Sequence, residues 1–222
     1  MTATRAVVSW SSGKDSAYAV HVLRQQPDLE LVGVLTTVTD EYGRVSMHGV
    51  RESVLDRQIV ELGLPCRKIR IPRACTNEIY EQRMAEVLKD CLSAGIEQVV
   101  FGDLFLRDIR AYRERNLARL GMRGIFPLWE RDTAVLAREM VEAGLRAVIT
   151  CVDPRVLPRT FAGRVYDHRF LDDLPPGIDP CGENGEFHSV TIAGPMLRKR
   201  LPVRVGDIVD RDDFVFADVH LM

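Results

Sequence analysis

Apolar residues change their spacing along the chain in a regular rhythm. Val7, Val8 and Trp10 form a short apolar run, and Ala17, Val20 and Leu23 then recur at helical spacing behind Asp15 and Ser16. This pattern predicts a buried strand that passes through a tight turn into an amphipathic helix. Residues 29–37 form a second β-branched run, followed by a polar turn at residues 40–44. Val54, Leu55, Ile59 and Leu62 share a helix face that starts near Gly49 or Val50 and stops at Gly63. Further strands are expected at residues 66–71, 98–101, 125–126 and 147–152, and further helices at residues 77–94, 108–120 and 132–143. Such alternation predicts an α/β fold built on a doubly wound parallel sheet with right-handed crossovers.

From Pro154 onward helical periodicity fades, prolines and glycines cluster, and residues 188–192 and 203–219 read as short strands. The expected organisation is an α/β domain over residues 1–153 and a small β-rich C-terminal portion over residues 154–222, packed above the strand ends. Ligands of open parallel sheets sit outside those ends, so the loops that follow each strand are the places to look for chemistry.

Composition narrows the class. The 222 residues are 46% hydrophobic and carry a net charge of −2, which fits an ordinary globular protein and argues against general nucleic-acid binding. No apolar run is long enough to span a membrane, and polar residues follow Trp10 at once where a signal peptide would continue, so a cytoplasmic location is expected. The five cysteines are an odd number without a CxxC pair, which indicates reduced thiols and neither a disulfide framework nor a zinc or iron–sulfur site.

Two stretches carry the candidate chemistry. In the first, Ser9, Ser11, Ser12 and Gly13 let an anion approach the main chain at a helix N-terminus, where unpaired N–H groups and the helix dipole favour phosphate. Lys14 adds a point charge, and Asp15 suits either the positive helix end or a magnesium ion. The common nucleotide P-loop is excluded, since Val8 stands where its first glycine belongs and Asp15 follows Lys14. In the second stretch, CGENGEFHS, Glu183, Glu186 and His188 share a glycine-bounded loop ahead of a strand, where they could bind a cation, position an amine or move protons.

SSGKDS resembles the SGGxDS signature of the PP-loop, or N-type, ATP pyrophosphatases, with Ser12 in place of a glycine at a position that favours positive φ. Together with FGD at 101–103, PLW at 127–129 and GENGEF at 182–187, it resembles the diphthine–ammonia ligase family over nearly the whole chain. The resemblance implies a Rossmann-like PP-loop ATPase fold and an ATP-dependent ligase. Such an enzyme adenylates an acceptor carboxylate, releases pyrophosphate and forms an amide with ammonia or another amine. ATP and Mg²⁺ are the implied cofactors. The implied acceptor is a modified protein side chain, the diphthine of elongation factor 2 in an archaeal or eukaryotic source. Ser9, Ser11, Ser12, Gly13, Lys14, Asp15 and Ser16 would hold the phosphates. Thr36, Met47 and His48 would lie near adenosine, Gly102 and Asp103 would face the same cleft, and Glu183 and Glu186 would form the acceptor side. Where the family continues with Tyr-Glu-Thr, this chain has Phe187, His188 and Ser189. Sulfur transfer, which needs a thiolate at Cys151 or Cys181, and nucleotide sensing without turnover are the competing functions.

Overall fold

The computed structural model of the chain describes residues 3–211 and 213–222. Five strands form the first sheet in parallel: β1 (Thr4–Ser9), β2 (Leu29–Thr39), β4 (Cys66–Ile71), β5 (Gln98–Val100) and β6 (Arg123–Ile125). β1 lies between β2 and β5, β4 pairs with β2, and β6 pairs with β5. The two-residue strand β3 (Arg44–Val45) folds back antiparallel on the end of β2. Strand order therefore reverses between β1 and β5, which opens a crevice at their carboxyl ends, as in a Rossmann-like sheet.

Alternate residues of β1 feed two different cores. Ala6 and Val8, continued by Trp10, pack toward α1 (Lys14–Leu23), α2 (Glu52–Leu62) and α5 (Thr133–Glu142), whereas Val7 packs toward α3 (Asn77–Ser93) and α4 (Arg107–Ala118). Side chains alternate across a strand, so a sheet covered on both faces needs this apolar run. The helix at residues 52–62 starts later than its apolar spacing suggests. Val45 N–H donates to the Val50 carbonyl at 2.8 Å and Gly49 takes φ +67°, so residues 44–51 form a compact loop before the helix can begin. Asp218 pins that loop, accepting hydrogen bonds from Arg44 at 2.9 Å and from Arg51 Nε at 2.9 Å.

One expected strand belongs elsewhere. β7 (Arg146–Val152), read from sequence as a further strand of the parallel sheet, is the centre of a second, antiparallel sheet. It pairs with β8 (Val165–Tyr166), β9 (Phe187–Ala193) and β11 (Phe214–Leu221), and β11 pairs in turn with β10 (Val203–Arg211). The change of sheet thus precedes β7, one strand earlier than the change of texture at residue 154. A short helix, α6 (His168–Asp172), lies between β8 and β9. Both sheets contribute to one continuous core, in which Trp10, Leu55, Met140, Ile149, Phe187 and Val215 are all buried. No helix among the described residues is long and apolar enough to cross a membrane.

Candidate active site

The crevice beside β1 holds about 750 Å³ of open space. Its floor is the turn from β1 into α1. Ser12 adopts φ +69°, so the backbone keeps the left-handed conformation in spite of a side chain, and neighbours on both sides hold it there. Its carbonyl accepts from Thr191 N–H on β9 at 2.8 Å and from Gln58 Nε2 on α2 at 3.0 Å. Ser11 and Ser16 hydroxyls lie 3.1 Å apart, Ser11 Oγ accepts from Gly13 N–H at 3.3 Å, and Lys14 N–H donates to Ser189 Oγ at 3.3 Å. The second sheet therefore closes the loop from above.

Two glycines here answer to space rather than to φ. A Cβ on Gly13 would meet the His48 ring at 2.9 Å. One on Gly102 would meet the main chain of Asp15 at 2.7 Å, so β5 can approach the first turn of α1 only without a side chain.

Lys14 is buried, and its ammonium donates to both carboxylate oxygens of Asp15 at 2.9 Å and to the Cys181 carbonyl. The rings of Phe187 and Tyr166 stand 5.3 and 5.6 Å from it. Burial works against this charge, but Asp15 and, more weakly, Cys181 and Glu183 outweigh it and hold the lysine above its ordinary pKa. Glu183 faces the same pocket. Its Oε1 accepts from Leu104 N–H at 2.8 Å, yet burial pushes the carboxyl up to about 7, a poise suited to passing protons near neutrality.

Asp103 reaches the pocket as the partner of Arg113, whose Nε and Nη2 donate to it at 2.6 and 3.1 Å. Arg113 lies 4.4 Å over the Phe101 ring. A separate narrow apolar cleft, which shares Ser9, Phe101 and Arg113 with this pocket, is walled by Leu35, Tyr80, Leu88 and Leu117.

Ser9, Ser11, Lys14, Asp15, Ser16, His48, Gly102, Asp103 and Glu183 are brought together around this pocket, with Ser12 and Gly13 forming the turn beneath. Three expected residues are not. Thr36 is buried, with the Cys66 thiol 3.9 Å from its hydroxyl. Met47, at φ +66°, projects its side chain into a different cleft. Glu186 folds back under its own loop, where Oε1 accepts from Asp179 N–H at 3.1 Å and from Asn184 Nδ2 at 3.0 Å.

Gln58 and Arg113 went unseen in the sequence. Arg113 left no signal, since its pairing is tertiary. Gln58 left one: it sits between Leu55 and Leu62 on the apolar face of α2, and a polar side chain there needs buried partners. Its amide donates to the Ser12 and Thr191 carbonyls and accepts from Trp10 Nε1 at 3.3 Å, joining loop, helix and second sheet. Gln58→Leu is expected to cost about 1–3 kcal/mol of stability through the unpaired groups it leaves. Thermal melts test this, and an unchanged melting temperature would show that the loop does not depend on this amide.

Comparison with protein families now bears on the site. A model described as the diphthamide synthase N-terminal domain matches residues 4–124, and one described as the diphthamide synthase C-terminal domain matches residues 132–219. The chain belongs to the diphthamide synthase family. The two matches meet between β6 and α5, where the chain leaves the parallel sheet. Among curated proteins, a diphthine–ammonia ligase of Homo sapiens is 25% identical over 236 residues, covering 94% of this chain and 86% of that protein. One of Danio rerio is 31% identical over 125 residues, covering 53% of this chain and 48% of its own length. One of Mus musculus is 27% identical over 236 residues, covering 94% and 86%. Diphthamide synthase relatives of this kind are ligases by name, so the family is one of ligase enzymes.

Proposed function

We infer that the chain is an ATP-dependent ligase in which an acceptor carboxylate attacks the α-phosphorus of ATP and pyrophosphate leaves. Ammonia or an amine then displaces AMP from the acyl carbon to form an amide. The observation that carries this reading is the convergence, in one pocket at the switch point of the sheet, of the Ser11–Ser16 turn and of Glu183 at about 7. The turn suits polyphosphate and leaves the α-phosphorus toward the pocket. Glu183, ionised above neutrality, takes the proton that the attacking amine must lose.

Among the described residues no group of three His, Cys, Asp or Glu side chains can hold a metal by itself. Mg²⁺ would enter on the nucleotide, with phosphate oxygens filling most of its shell and Asp15 as the carboxylate at hand. The acceptor class comes from the relatives' name, which gives diphthine; the family resemblance makes it a modified side chain on a protein partner.

The deciding assay is the product of ATP with Mg²⁺, an ammonium salt and diphthine-bearing elongation factor 2. AMP and pyrophosphate are expected, and ADP with phosphate would overturn the reading. Sulfur transfer is disfavoured by burial. Cys181 is 1% exposed with its thiol pushed well up, and burial pushes Cys151 up to about 12, so neither offers a thiolate at neutral pH. The double variant Cys151→Ser/Cys181→Ser should keep turnover within roughly threefold, since an amine from solution needs no thiol. Abolished turnover with intact ATP binding, alongside a persulfide on the wild-type protein, would favour the sulfur route.

A further inference from the structure

His48 and His188 stack over the phosphate turn with ring centroids 4.7 Å apart and planes tilted by 44°. His48 comes from the loop after β3 and lies against Gly13, and His188 comes from β9. Nδ1–H of His48 donates to the Ser189 carbonyl at 3.2 Å, which fixes the proton of the neutral ring on Nδ1 and leaves Nε2 as a bare acceptor. Neither ring has a carboxylate partner among the described residues. Asp15, from α1, is taken by Lys14, Asp103 by Arg113, and Glu183 by Leu104 N–H. The charged group that does face the rings is the Lys14 ammonium, and the Cys181 thiol stays neutral. Two imidazoles thus sit at an anion-binding turn with no anion of their own.

We propose that His48 and His188 are polyphosphate-binding residues that take up a proton from solvent as the nucleotide enters, so that an imidazolium faces the pyrophosphate that will leave. This rests on the reading of the Ser11–Ser16 turn as the polyphosphate site. In the empty pocket both rings are neutral: burial, the neighbouring ring and Lys14 hold His48 near 3, and burial and Lys14 hold His188 near 4. An incoming polyphosphate carries several negative charges into the same low-dielectric space, which reverses the balance and favours the protonated ring. The bond then formed is charge-assisted, and it strengthens as negative charge gathers on the departing pyrophosphate.

Titration calorimetry with Mg·ATP, and separately with Mg·pyrophosphate, in two buffers of different ionisation enthalpy counts the protons. Glu183 also titrates near 7 in the same pocket and gains proton affinity when an anion enters, so the count is made in the Glu183→Gln background. There the protein at pH 7 is expected to take up about one proton per ligand. Adding His48→Gln/His188→Asn should bring uptake close to none and weaken binding roughly tenfold, the loss expected for one charge-assisted bond. Its affinity should also no longer fall as pH rises from 6 to 8. Binding by Glu183→Gln without uptake overturns the proposal while the phosphate reading stands, and so does full uptake by the triple variant. No binding of either ligand by the wild type removes both. Because the Glu183→Gln measurement decides alone, the test survives a triple variant that fails to fold, and Glu183→Gln/His188→Asn provides a milder second variant.

Discussion

Lys14→Met is expected to lower turnover by about a thousandfold or more when AMP formation is followed with a competent acceptor. The size follows from where the ammonium sits. It is buried between Asp15, the Cys181 carbonyl and two aromatic rings, so its removal takes a fixed positive charge out of a site where negative charge develops. Removal also leaves Asp15 as a half-buried carboxylate without its partner, which costs stability. Stability and activity must therefore be separated. Lys14→Met/Asp15→Asn removes both charges and should recover most of the lost melting temperature while recovering no activity. ATP affinity should fall at least tenfold, with adenosine affinity unchanged, because the lost interaction is with phosphates. A Lys14→Met protein that keeps a tenth of wild-type AMP formation would remove the lysine from the mechanism.

Glu183→Gln is expected to lower acceptor-dependent turnover by a factor of about 10²–10⁴, the range for a lost general base, and to leave ATP binding nearly intact. Wild-type turnover should rise with pH through about 7 as the carboxyl ionises, and the variant should lose that limb. The stability linkage has the opposite slope. A carboxyl whose folded pKa lies above its unfolded value is protonated more readily in the fold. Its contribution is fully present below the unfolded value and is lost as pH rises through about 7. The protein is thus expected to become less stable over the pH interval in which it becomes more active. Glu186→Gln should behave differently, with a lower melting temperature and a smaller loss of rate, since Glu186 organises residues 179–184 and does not line the pocket. Equal kinetic losses for the two glutamates, with equal pH profiles, would refute this division.

The parallel half of the fold could be read because β1 and β2 carry apolar, β-branched runs, and its helices carry apolar stripes at regular spacing that stop at glycines such as Gly63, Gly95 and Gly144. β7 misled for a physical reason. Six of its seven residues are buried, and an apolar run without alternation looks the same at the centre of a covered antiparallel sheet as in a parallel one. The turn from β1 into α1 was legible residue by residue, since small residues before a helix start act locally. The acceptor side was only half legible: GENGEF marks a loop rich in carboxylates, but whether a carboxylate faces the pocket or its own backbone depends on the turn. Glu183 went one way and Glu186 the other. Arg113, Gln58 and the aromatic box around Lys14 are tertiary contacts that no local spacing encodes.

The bonds that finish the phosphate turn join residues far apart in the chain. Lys14 N–H reaches Ser189, and Ser12 is held by Thr191, across separations of about 175 residues. A chain growing from its N-terminus has the phosphate turn from the start and lacks its roof until β9 has been made. The parallel sheet can condense early from neighbouring segments, but completion of the turn must wait for the most distant contacts, which are the slowest kind to form. On the proposed function, competence to bind ATP is therefore a late event in the birth of this protein, and a nascent chain stalled before residue 187 would carry the sequence signature of the site without its grip.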